Sequence, residues 1–167
     1  MSVYDDCVLL GTLDPVPVRN MGTEIHVEAF TPTRIVREES RHIGRLIFLE
    51  VCAFIVENFH QIQLISFVFT RQVDVLGGGV QQAAARAETM ERIGAVNVQV
   101  APKADTSPGH FVVSGVWVYS ERNLVALNLV LEEQRALYRE RPIAGGAKSR
   151  AGVGTALRRL VRRSSGN

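Results

Sequence analysis

Between Leu46 and Val56 ten apolar residues surround one carboxylate, Glu50. A helix through this stretch has no hydrophilic stripe, so it must be covered on every side. Eleven residues are too few to cross a bilayer as a helix, so the covering must come from the protein itself. The pattern predicts a helix over about 40–58, with Ser40 as its N-cap. A sheet is the expected wrapper, and the rest of the chain supplies strands for it.

Residues 7–13 read as a short strand ended by Pro15 and Pro17. Residues 24–30 alternate Ile25, Val27 and Ala29 with Glu24, His26 and Glu28, the period-2 pattern of a half-buried strand. Residues 62–70 form a third strand. Residues 95–100 and 110–119 form two more, joined as a hairpin by a long loop holding Pro102, Pro108 and Gly109. Two segments admit two readings. In 80–93 the residues Val80, Ala83, Ala84, Ala87 and Met90 fit a helix face, while Ala85, Ala87 and Thr89 alternate as in a strand. The strand is preferred, with Ile93-Gly94 as a bend in one long ribbon. In 124–138, Val125–Leu131 is expected as a final strand and Glu132–Tyr138 as a helix. The fold class that follows is α+β, a long buried helix wrapped by an antiparallel sheet. Its competitor makes 80–93 helical.

Charge divides the chain. Residues 1–138 hold 11 basic and 16 acidic side chains, whereas residues 139–167 hold 8 basic and one acidic. The first part is expected to be a single domain and the second a flexible basic tail, poor in apolar residues. Thr155–Arg163 could become a basic amphipathic turn or two on a partner, for which an acidic surface, a membrane or nucleic acid would serve. Cys7 and Cys52 make neither a disulfide framework nor a metal site, and no apolar leader opens the chain. A reducing cytoplasm is the expected location. No Ser/His/Asp constellation or His/Cys metal spacing is legible.

The run Arg41-His42-Ile43-Gly44-Arg45-Leu46-Ile47-Phe48-Leu49-Glu50 resembles the helix entry of hotdog-fold acyl-CoA thioesterases of the 4-hydroxybenzoyl-CoA thioesterase type. Ile65–Val73 with the glycines after it, then Ala87–Val100 and Gly109–Tyr119, resemble that family's strands, so the likeness covers about residues 23–120. Thr31-Pro32-Thr33 stands where the family has an aspartate, and Gly44 where it has an asparagine. The resemblance implies a hotdog-like domain that hydrolyses acyl-CoA or acyl-carrier-protein thioesters. It further implies a homodimer or homotetramer, with no cofactor beyond the CoA or phosphopantetheine of the substrate.

On this reading the catalytic candidates are Glu50, His42, Gly44 and Glu39. Glu50 would be base or nucleophile, since desolvation suits a carboxylate to proton transfer near neutral pH. Equally, Glu50 has the character of a carboxylate paired with an arginine, such as Arg71 or Arg86. Helix-start N–H groups beside His42 and Gly44 would hold the thioester carbonyl oxygen. Glu39, or Glu38, would stand in for the aspartate, although acidic residues also simply suit a helix start. Arg45, Arg71 and Phe48 are the substrate-binding candidates, and Trp117 and Tyr119 read as sheet packing.

A second resemblance competes. Arg41-His42-Ile43-Gly44-Arg45 before a helix, then strand 62–70, then Met90-Glu91-Arg92-Ile93-Gly94-Ala95 and a hairpin, resemble the second half of the Gcn5-related N-acetyltransferases. Met90 occupies the position of that family's tyrosine acid. This implies an acyl-CoA-dependent N-acyltransferase and is favoured by a helix at 80–93. A non-catalytic acyl-binding or scaffold protein of hotdog type is a third expectation.

Overall fold

A computed structural model describes residues 1–5, 7–13, 16–28, 30–34, 43–71, 79–103 and 111–140. Residues 141–167 of the basic tail, and residues 35–42 with Glu38, Glu39 and His42, lie outside these residues. The strands are β1 (Ser2–Asp5), β2 (Val8–Leu13), β3 (Val18–Arg19), β4 (Glu24–Val27), β5 (Phe30–Pro32), β6 (Leu64–Arg71), β7 (Ala95–Pro102) and β8 (Phe111–Val118). The helices are α1 (Ile43–Asn58), α2 (Gly79–Arg92) and α3 (Glu121–Glu140). They build a mixed α+β fold with two sheets. One has the order β1-β2-β5; the other, of five strands, has the order β3-β4-β6-β8-β7. All pairings are antiparallel except β4 with β6, which run parallel.

Parallel neighbours cannot be joined by a tight turn, so α1 makes the crossover from β4 to β6. Strand alternation then sorts the side chains. Ile25, Val27, Ile65, Phe67 and Phe69 share the face that α1 covers. Phe48 of α1 packs edge-on against Phe67 and Phe69, with ring centroids 5.5 and 4.7 Å apart. The other side of α1 is closed by α3, so the apolar helix lies between a sheet and a helix rather than inside a wrapping sheet. Cys52 is fully buried within α1, and burial pushes its thiol well above the ordinary cysteine range.

Residues 80–93, preferred above as a strand, are helical. Ala83, Ala87 and Met90 are buried at i, i+4 and i+7, and Thr89 satisfies its hydroxyl by donating to the Ala85 carbonyl at 2.8 Å. Gly94 is the left-handed residue that ends α2 (φ +86°), not a bend in a ribbon. A Cβ there would fall on the Asn123 side chain, whose amide donates to the Gly94 and Val118 carbonyls. The Trp117 indole donates to the Ile93 carbonyl at 2.7 Å, tying the same helix end to β8.

The expected strand at 125–131 is likewise part of a helix, α3. Ser120 caps it by accepting from the Asn123 N–H. Burial of Leu127, Val130 and Leu131 follows helical spacing and overrides the β-prone Val-Ala-Leu-Asn-Leu-Val run. At its far end Tyr138 donates to Asp5 of β1 at 2.7 Å. No helix among the described residues is long and apolar enough to cross a membrane.

A strand would put Leu127 and Leu129 on one face, whereas α3 buries the first (0% exposed) and exposes the second (63%). Urea denaturation is therefore expected to show Leu127→Ala costing about 2–5 kcal/mol. Leu129→Ala is expected to fall within about 0.5 kcal/mol of wild type.

Candidate functional site

The two parallel strands part company. β4 pairs with β6 from Glu24–Leu64 to Val27–Phe67 and no further. The chain then leaves this sheet, and β5 pairs with β2 in the other. β6 instead runs on to Arg71, held by β8 alone from Val68–Ser114 to Arg71–Phe111. Among the described strands, Val68–Arg71 therefore has an open edge on the side that β4 vacates. Because α1 returns antiparallel to the strands it joins, its first turn lies at the same end as this opening. Phe48, near that end of α1, touching Phe69 near the end of β6 agrees with it. Crevices outside the carboxyl ends of parallel strands are where open sheets bind ligands. A helix start beside one adds backbone N–H groups and the positive end of a dipole.

Gly44 and Arg45 stand in that first turn. Gly44 is exposed, and a Cβ added to it meets no heavy atom within 4 Å, so it is not required there for packing. Arg71 is the last residue of β6, at the same end. The topology thus places Gly44 and Arg45 of α1 and the last residue of β6 at one end of the sheet. Phe48 contributes its ring to the core.

Glu50 does not join this group. Both its oxygens are held by Arg135 of α3 in a two-bond fork, Nε to Oε1 and Nη2 to Oε2, each 2.6 Å. Arg135 also donates to Glu132 at 2.5 Å. The hydrogen bond to Glu50 is the main reason the guanidinium is held even more firmly protonated than usual. The pairing with an arginine anticipated for Glu50 exists, and the arginine is Arg135.

A second constellation sits beside the opening, on the sheet face turned away from α1. Glu24 and His26 of β4 are 9% and 8% exposed. Ser66 of β6 lies directly across from His26. The Ser66 hydroxyl donates to Glu24 Oε1 at 2.5 Å, and His26 Nδ1 lies 2.8 Å from the same Ser66 oxygen. Asn20 donates its amide to Glu24 Oε2 at 2.5 Å. Asn20 belongs to the turn between β3 and β4, where Asn20, Met21 and Gly22 all adopt positive φ of 48°, 54° and 96°. Asn and Gly tolerate this conformation best, and Met21 at the tip is fully exposed.

The sequence did not reveal this chain of groups. Glu24 and His26 read as the wet side of an alternating strand, and Ser66 as one polar residue in an apolar run. The available signal was that Ser66 interrupts the otherwise apolar run from Leu64 to Phe69. Only the parallel register of β4 on β6 joins it to His26. Among the described residues no group of three His, Cys, Asp or Glu side chains is placed to hold a metal ion.

Because Glu50 and Arg135 are both mostly shielded from water, Glu50→Gln is expected to lower stability by about 1–3 kcal/mol. Combined with Arg135→Met, the loss is expected to fall short of the two single losses added, as a double-mutant cycle in urea would read. The chain matches no family model, no curated protein and no solved structure.

Proposed function

We propose that this protein is an acyl-CoA-dependent acyltransferase of the N-acetyltransferase type, binding its donor where β4 and β6 separate at the start of α1. The observation that carries the reading is the order helix, strand, helix, hairpin around a parallel strand pair that parts at one end. The helical state of residues 79–92 favours this reading over a hotdog thioesterase. The donor's pyrophosphate would lie at the first turn of α1, near exposed Gly44, where backbone N–H groups and Arg45 favour anions. Its pantetheine arm would follow the open edge of β6. An amine attacks the thioester carbonyl, the C–N bond forms, and the C–S bond breaks to release the CoA thiolate. Met90 is buried and has no proton to give, so the thiolate takes its proton from solvent.

A hotdog-type hydrolase of acyl-CoA or acyl-carrier thioesters is the second reading. It draws on the long buried helix and on Glu50, and it carries with it an acyl tunnel shared between subunits. In that case Glu50 has to leave Arg135 before acting as base or nucleophile.

Thiol release from acetyl-CoA and longer acyl-CoAs, with and without a panel of primary amines, separates the two. The transferase releases thiol only when an amine is present. Release without amine, abolished by Glu50→Gln, overturns it in favour of the hydrolase, and absence of acyl-CoA binding overturns the transferase. Gly44→Asp puts a carboxylate at the proposed pyrophosphate site without a steric clash. It is expected to weaken acyl-CoA binding by about tenfold or more in calorimetry, for a like-charge cost of about 1–2 kcal/mol. The melting temperature without ligand is expected to stay nearly unchanged.

A further inference from the structure

The order of the polar chain decides what each member can do. Glu24 accepts on both oxygens, from Asn20 and from Ser66, as an ionised carboxylate does. Ser66 has one proton, and it is directed at Glu24. Its oxygen is then left to accept from His26 Nδ1, which must carry a hydrogen. A serine whose only proton is committed to a carboxylate is not the nucleophile of a hydrolase. In a nucleophilic triad the histidine stands between carboxylate and serine; here the serine stands between carboxylate and histidine. The consequence falls on His26. With hydrogen on Nδ1, its Nε2 keeps the lone pair, and no hydrogen bond from the described residues ends on it.

His26 is one residue before Val27, the last residue of β4 paired to β6. It faces the side of the sheet opposite α1. A donor lying on the α1 side and reaching between the parting strands would present its carbonyl to an acceptor on the His26 side. We propose that His26 is the base of the transfer proposed above, taking a proton from the attacking amine on Nε2. Ser66 and Glu24 are positioning residues that fix its tautomer and stabilise the imidazolium. This assignment rests on the acyltransferase reading. As the C–N bond forms and the C–S bond breaks, the proton of the amine moves to Nε2. The positive ring then donates from Nδ1 to Ser66, whose hydroxyl still donates to the Glu24 carboxylate. Among the described residues of these strands and their ends, the other charged groups on this face are Arg19, paired in register with Glu24, and exposed Glu28, just beyond the end of β4.

The test has one readout that needs no activity. Imidazole 15N NMR of the wild-type protein is expected to show His26 with hydrogen on Nδ1, and a changed Nδ1 signal in Ser66→Ala. Hydrogen on Nε2 overturns the proposal whatever the protein catalyses. In acyl transfer, His26→Gln is expected to lower kcat by about 100-fold or more, with the Kd for acyl-CoA within about twofold. Ser66→Ala is expected to lower kcat while the Kd for acyl-CoA stays within about twofold, because the ring loses the partner that fixes its tautomer. Ser66→Thr keeps a hydroxyl and is expected to restore both kcat and the wild-type Nδ1 signal, which separates positioning from a general packing defect. Unchanged kcat in a folded His26→Gln protein that binds acyl-CoA overturns the role of His26 alone. A wild-type protein that binds no acyl-CoA overturns the transfer reading and the role with it.

Discussion

The burial of α1 sets the conditions for everything else. Each of its large apolar side chains contributes about 1.5–3 kcal/mol when removed from water, and they point in all directions. One layer cannot cover such a helix. The five-stranded sheet takes one side through Phe67 and Phe69, and α3 takes the other. Glu50 is compatible with this arrangement because Arg135 meets both its oxygens, so no buried charge is left unpaired. The carboxylate at the centre of the apolar run thereby specifies which surface α3 must present.

With α1 fixed as the crossover between parallel neighbours, the opening at their far ends follows from topology. β4 is only four residues long and β6 is eight, so one must outrun the other. Apolar residues fill the helix-covered face of these strands, while the opposite face carries Glu24, His26 and Ser66. The strand pair therefore separates two chemical environments, a helix start suited to anions and a hydrogen-bonded polar chain. On the proposed acyltransferase reading, donor and acceptor would approach this division from different sides.

Much of this was legible locally. The helix over 43–58 follows from its composition, and β6, β7 and β8 from alternation within two residues at most ends. The two helices that read as strands were lost for a shared reason. Ala85, Ala87 and Thr89, or Val125, Leu127 and Leu129, satisfy period 2 as easily as period 3.6 over a short window. What decided them was where α1 needed covering and where the Gly94 cap and Ser120 cap fell. The segment 24–30 also divided between two sheets, because sequence alternation carries no mark of where a strand changes partner. The Glu24–Ser66–His26 chain was illegible for the deeper reason that Ser66 lies 40 residues from His26 and 42 from Glu24 and meets them through register alone.

The link between Tyr138 and Asp5 joins residues 133 positions apart, and that between Arg135 and Glu50 joins residues 85 apart. Contacts of such long range close late, because the chain entropy of large loops must be overcome first. During synthesis α1 emerges with its apolar surface complete, yet its second cover, α3, follows only after some eighty more residues have been added. In that interval the sheet-facing side can be occupied while the outer side, with an unanswered Glu50 at its centre, stays in water. The same carboxylate that is locked in the finished domain thus keeps the half-made helix from being uniformly greasy. It acts as a solubilising mark on a surface that has to wait for its partner.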